Sequence, residues 1–159
     1  SKELMRKLGL NIPLEAERGY HVVYKNASIL PRNPMMMTIG KFGVTPMGGD
    51  LRCAGTVELG GIKFGPSKSQ IRLLRRRVAE AFPKMTYDET EEWLGFRPTA
   101  PDSLPLIGQL KESGVYTAFG HQHIGMTSGP KTGRLISDII NNRSPNIDMS
   151  VYDPNRFNL

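Results

Sequence analysis

The chain has 159 residues, 21 lysines and arginines against 15 aspartates and glutamates, and a formal charge of +6. That length predicts one domain or a little more, and 38% hydrophobic with 23% charged residues excludes a low-complexity disordered chain. The single cysteine, Cys53, excludes an intramolecular disulfide or a paired-thiolate zinc site and suits a reducing compartment. No apolar run approaches the ~20 residues that span a bilayer. The opening SKELMRKLG has neither an initiator methionine nor the apolar region of a signal peptide, so the chain reads as a processed protein or a piece of a longer one.

In chain order, Ser1–Leu8 predicts a short helix broken at Gly9, and Tyr20–Tyr24 a β-branched and aromatic strand. Met35–Gly40 and Phe42–Met47 predict further strands, with Gly48-Gly49-Asp50 turning the chain into a strand at Leu51–Leu59. Ser67–Phe82 predicts an amphipathic helix covering that sheet. Ile71, Leu74, Val78, Ala81 and Phe82 share one face, Ser67 and Gln70 suit a capping box, and Pro83 stops the run. The acidic stretch Asp88–Glu92, Trp93 and a proline-rich loop follow. Leu104–Gln109 and Val115–Gly120 predict two strands joined at Gly114, and Pro130–Asn141 a last helix with Leu135, Ile136, Ile139 and Ile140 on its apolar face. Strands that precede and surround two helices, rather than alternating with them, predict an α+β fold with a largely antiparallel sheet and a covering helix.

Lys63, Lys68, Arg72, Arg75, Arg76 and Arg77 concentrate the positive charge on the outer face of the Ser67–Phe82 helix. A basic cluster admits nucleic-acid binding, but without aromatic interleaving it reads as a solvated face, and no nucleic acid is expected as a partner. The stretch GHQHIGMTSGPKTG, Gly120–Gly133, is more informative. A strand, a glycine-rich turn and a helix N-terminus together suit an anion or an electron-rich carbonyl, because unpaired amides there carry partial positive charge. His121 and His123 alternate about Gln122 as two metal ligands would, yet no third ligand is spaced with them; hydrogen-bonding histidines are favoured and no metal is expected.

The second stretch, WLGFRPTAPDSLPLIG (Trp93–Gly108), holds Arg97 between an aromatic and Pro98. A guanidinium so held can grip a carboxylate bidentately. Alternatively it pairs with the acidic run before Trp93. Asp102 reads as a turn residue bonding its own backbone.

These two stretches in this order resemble the C-terminal part of the FAD-dependent D-amino-acid oxidase and dehydrogenase family, which includes glycine and sarcosine oxidases, and within it the D-amino-acid dehydrogenase type, in its small subunit. LEAERGYHVVY (Leu14–Tyr24) and GGDLRCAGTVELGG (Gly48–Gly61) match the start and the hairpin of that family's substrate sheet, so the likeness covers nearly the whole chain. The resemblance implies that Arg97 binds the substrate carboxylate and that Gly120, His121, Gly125, Met126 and Thr127 form the loop passing the flavin's pyrimidine edge. It implies that His123 shapes substrate choice and that Tyr20 and His21 line the substrate sheet. It also implies a division at residue 104: 1–104 substrate-binding domain, 105–159 the last segment of the FAD-binding lobe.

FAD binding in that family depends on a Rossmann-like unit with GxGxxG. GGIKFG at Gly60–Gly65 has the wrong spacing and no other stretch fits. The expectation is therefore a fragment lacking the N-terminal nucleotide-binding lobe. Its parent would oxidise the Cα–N bond of amino acids with FAD in the cytoplasm, with attachment to the inner membrane left open. The fragment itself is expected to be inactive and without bound FAD, its partners being an amino-acid substrate, the missing lobe and, through the face that lobe would cover, a second copy.

Overall fold

The structure, a computed structural model, describes residues 1–111 and 113–157; residues 112, 158 and 159 of the expected 105–159 segment lie outside the described residues. Helix α1 (Lys2–Lys7) ends where expected, with Gly9 at φ +80°, a left-handed turn that glycine adopts without a Cβ clash. The strand expected at Tyr20–Tyr24 begins five residues earlier, as β1 (Glu15–Tyr24). Its polar first half, Glu15 to Arg18, hides the strand because local propensity there is low; long-range partners hold those residues extended.

β2 (Met35–Met37) is shorter than the expected strand, and β3 (Phe42–Met47) and β4 (Asp50–Leu59) form the expected hairpin. Met47 faces Asp50, so Gly48 (φ +59°) and Gly49 (φ +96°) make the two-residue connection, whose positive φ values match the right-handed twist of the strands. α2 (Lys68–Ala81) packs against β4 and buries Ile71, Leu74 and Val78. The expected capping box is absent. Ser67 Oγ instead lies 2.9 Å from Ser69 Oγ, and the Ser67 amide donates to the Tyr20 hydroxyl at 3.1 Å.

β5 (Thr90–Thr99) replaces the loop expected after Trp93. The sheet order is β2-β3-β4-β1-β5, so β5 is an edge strand, where Pro98 costs no interior ladder bond. β6 (Leu106–Gln109) and β7 (Tyr116–Phe119) pair antiparallel, and α3 (Gly125–Ile140) packs on both. α3 starts before the expected Pro130, which lies inside it. Gly125–Gly129 has poor intrinsic helix propensity, so its composition does not announce the helix that it opens. Of the expected apolar face, Leu135 is buried, Ile136 and Ile139 are half-buried, and Ile140 is exposed, while Thr132 is buried in its place. The pairings β2–β3, β3–β4 and β6–β7 are all antiparallel, and the class is α+β.

Two compact units emerge, and the first is discontinuous: Ser1–Glu17 with the chain from Arg97 onward, and Arg18–Phe96. The boundary expected at residue 104 thus falls inside the first unit. Met5, Leu10, Ile12, Leu14, Ala100, Leu106 and Leu110 form that unit's core. The core of the second joins Tyr20, Val22 and Tyr24 to Phe42, Val44, Leu51, Cys53 and the buried face of α2.

Candidate functional site

On β5, alternation puts Arg97 and Thr99 on one side of the strand, and both meet Glu17 of β1. Arg97 Nη1 lies 3.5 Å from Glu17 Oε1, and Thr99 Oγ1 donates to Glu17 Oε2 at 3.1 Å. The partner of Arg97 is therefore Glu17, not the acidic run before Trp93. In that run Glu91 pairs with Lys25 and Glu92 with Arg75. The Arg97 contact is long and one-pronged, which leaves most of the fork's donors for a second carboxylate.

Immediately after Arg97, the Pro98 carbonyl accepts the amide of Gln122 at 3.3 Å, tying the arginine strand to the turn before α3. Gly120 holds φ +85° there, which strains any residue with a Cβ, and a Cβ on it would stand 3.2 Å from Leu106 Cδ1 and press that side chain aside. Gln122 is also left-handed, at φ +52°, a conformation with a cost of order 1 kcal/mol for a side-chain-bearing residue. His121 Nε2 contacts Thr132 Oγ1 at 2.9 Å, and burial lowers its pKa, so the imidazole is a neutral hydrogen-bonding group at pH 7. That contact accounts for the buried Thr132.

Gly125, Met126 and Thr127, expected on a loop, form the first turn of α3. Their amides precede any intrahelical acceptor and carry the positive end of the helix dipole. Met126 is 96% exposed, and Gln122 Nε2 is sealed from solvent without a hydrogen-bond partner. Open helix amides, an orphaned amide donor and a glycine cradle fit an electron-rich carbonyl such as the pyrimidine edge of a flavin. His123 is exposed on the same turn. Among the described residues no three His, Cys, Asp or Glu side chains converge as metal ligands.

Tyr20, expected to line the substrate sheet, points into a core. It is 1% exposed within the core of the Arg18–Phe96 unit, and its hydroxyl donates to Glu58 Oε1 at 2.8 Å while accepting from Ser67. Glu58 also pairs with the buried Arg18 at 3.3 Å. Alternation sends Tyr20 inward and the next residue, His21, to the opposite face. There His21 stacks on Trp93 (centroids 4.7 Å, planes at 14°) and its Nδ1 lies 3.2 Å from Arg52 Nη2. Glu17, Arg52 and Trp93 carried no sequence signal as site residues, since each contact joins segments far apart in the chain. Cys53 is fully buried and its pKa is pushed up to about 12, which removes it as a nucleophile.

Asp102 does accept the Leu104 amide at 3.1 Å, as a turn residue should. It is further clamped by Arg156, Nε to Oδ2 at 2.7 Å and Nη2 to Oδ1 at 3.2 Å. On α2, Arg75 and Arg76 pair with Glu92 and Glu80. A cleft of about 470 Å³ lies between that helix and the Phe82–Tyr87 segment, lined by Arg72, Arg75 and Arg76.

The family model described as FAD dependent oxidoreductase (DAO) matches residues 1–139. The chain belongs to this family. Its similar proteins include a D-amino-acid oxidase from Bradyrhizobium diazoefficiens, 37% identical over 99% of this chain and 38% of that protein. A glycine oxidase from Pseudomonas aeruginosa is 31% identical over 97% of this chain and 43% of that protein. Among solved structures, the glycine oxidase from Geobacillus kaustophilus superposes with a TM-score of 0.81 at 23% identity, covering 96% of this chain and 42% of that one, which shows a shared fold. This DAO chain thus spans about 38% of the length of the first curated relatives it matches. No helix among its described residues is long and apolar enough to cross a membrane.

Proposed function

We propose that this chain is the substrate-binding and flavin-edge portion of an FAD-dependent enzyme that oxidises the Cα–N bond of amino acids, as D-amino acids or glycine. In this reading Arg18–Phe96 belongs to the substrate domain, and the segment from Leu106 onward belongs to the FAD-binding lobe. The observation that carries the reading is the Gln122-to-Pro98 hydrogen bond, which joins an arginine suited to a carboxylate with a helix N-terminus suited to developing negative charge.

When bound, FAD supplies the acceptor for the Cα hydride. Arg97 binds the substrate carboxylate through the donors that Glu17 leaves free, and so fixes the Cα–H direction. The turn amides and Gln122 Nε2 would hold the cofactor's carbonyl edge, offering donors and partial positive charge to an electron-rich oxygen there. His121, neutral and held by Thr132, keeps that turn in place without adding positive charge. His123, exposed on the turn, contributes to substrate choice; Tyr20 has no substrate contact in this scheme. The imine product hydrolyses to a 2-oxo acid and ammonia.

The test is anaerobic mixing of a full-length protein carrying this chain with D-alanine, D-glutamate and glycine. Bleaching of the flavin near 450 nm with at least one of them is the expected result. Retained absorption with every amino acid, in a protein that holds FAD, overturns the assignment. The 159-residue chain alone is expected to purify colourless and without activity.

A further inference from the structure

In this chain the well-buried arginines come with carboxylates. Arg18 has Glu58 and Arg156 has Asp102, as desolvated guanidinium groups require. Arg52 departs from that pattern. It sits on β4 between the fully buried Leu51 and Cys53, on the face of the sheet turned away from α2. Its Nε is sealed from solvent with no hydrogen-bond partner, and among the described residues no Asp or Glu lies within ion-pair distance of it. Its one polar contact is His21 Nδ1 at 3.2 Å. Arginine only donates, so that nitrogen must present a lone pair: the imidazole is neutral, its proton is on Nε2, and the charge of Arg52 is left uncompensated.

The surroundings are equally particular. Trp93 lies parallel to His21, and its indole folds back over Gly95, where a Cβ would come within about 2.0 Å of the ring. The indole is 52% exposed, so the stack is an open apolar wall beside the cation. We propose that Arg52, His21 and Trp93 form a binding site for a carboxylate on a small organic molecule. The guanidinium meets the anion, His21 Nε2–H is a second donor, and the aromatic wall covers the aliphatic body. One cation with one neutral donor matches a monoanion; a phosphate dianion would leave a charge without a partner. The carboxylate has two sources, the distal end of a dicarboxylic amino-acid substrate or a free carboxylic acid acting as an effector. The site itself does not depend on the oxidase reading, since all three residues lie in the Arg18–Phe96 unit.

Trp93 is the one tryptophan of the chain and reports on the site directly. Glutarate is titrated against glutaramide at constant ionic strength, and Trp93 fluorescence is followed in the purified chain. A saturable change with glutarate and none with glutaramide is expected. In Arg52→Met the apparent affinity should fall by at least about tenfold, the loss of a charge-assisted bidentate interaction. If that variant fails to fold by circular dichroism, Arg52→Lys keeps the charge but loses the fork and should bind about threefold or more weakly. Equal responses to acid and amide, or a glutarate affinity unchanged by the folded Arg52 variant, overturn the proposal. In the full-length protein, a drop in kcat/KM for D-glutamate but not D-alanine on Arg52→Met assigns the carboxylate to the substrate. An unchanged ratio, with glutarate binding still lost, assigns it to an effector. The fluorescence titration needs neither flavin nor turnover, so its failure is distinguishable from failure of the oxidase assignment.

Discussion

Arg97 and Glu17 stand 80 residues apart in sequence, yet their charged groups meet at 3.5 Å, with Thr99 bonded to the other carboxylate oxygen. Glu17 occupies one edge of the guanidinium and holds it without neutralising its whole fork. In the proposed enzyme Arg97→Ala should raise KM for amino acids by about 10- to 150-fold, the equivalent of the ~1.5–3 kcal/mol of a charge-assisted hydrogen bond. Glu17→Gln should move KM the other way, by less than about fivefold, because the part-exposed pair it removes is worth under ~1 kcal/mol. Steady-state kinetics on both variants checks the pair. An unchanged KM in Arg97→Ala removes the arginine from substrate binding.

The sheet hairpin, α2 and the glycine turn at Gly120 were legible because local chemistry determines them: paired positive-φ glycines, a 3.6-residue apolar period, a strand running into glycine. β5 and the start of α3 were not. TEEWLGFRPT looks irregular because its acidic residues, which pair with Lys25 and Arg75, carry little strand propensity, and GMTSG is helical despite its poor helix propensity. The candidate site divides along the same line. Arg97 and the Gly120–Thr127 segment have local motifs, whereas Glu17 and Arg52 acquire their meaning from strands brought together by the fold, and Tyr20 is diverted to the core by strand alternation that its neighbours do not announce.

The clamp between Asp102 and Arg156 fastens the C-terminal segment to the loop after β5. The Arg156 guanidinium, with the Leu104 amide, holds the Asp102 carboxyl below its usual pKa. A depressed carboxylate contributes stability above its unfolded pKa and loses it as pH falls through the folded value. Arg156→Ala should therefore cost about 1–2 kcal/mol at pH 7, with the gap to wild type closing in acid, below the ordinary carboxylate range, as the carboxyl protonates. Urea titrations at the two pH values test this, and a gap independent of pH contradicts the clamp.

His21 should titrate far from an ordinary histidine. Burial, and secondarily the Arg52 charge, lower its pKa to about 4. Because the folded value is below the unfolded one, the neutral ring stabilises the fold above about pH 6.5, and that contribution is lost as pH falls toward 4. The imidazole proton resonances of His21, identified by their loss in His21→Gln, should show a midpoint near the lowered value. A midpoint at the ordinary histidine value would mean that the ring is solvated and not stacked.

Gly95 should control the same stack from the neighbouring position on β5. A Cβ there would come within about 2.0 Å of the Trp93 ring, and what it meets is the far end of a side chain able to swing away rather than backbone. Gly95→Ala should therefore leave stability within about 1 kcal/mol of wild type, because the smaller entropy cost of ordering an alanine strand offsets the weaker packing of the displaced ring. The indole, displaced into water, should emit to the red. With Trp93 gone from its face, His21 loses part of its burial, and its pKa should rise toward the ordinary value. A red shift accompanied by a raised His21 midpoint ties the two rings into one unit; a red shift with an unmoved midpoint would assign the histidine's burial to the sheet alone.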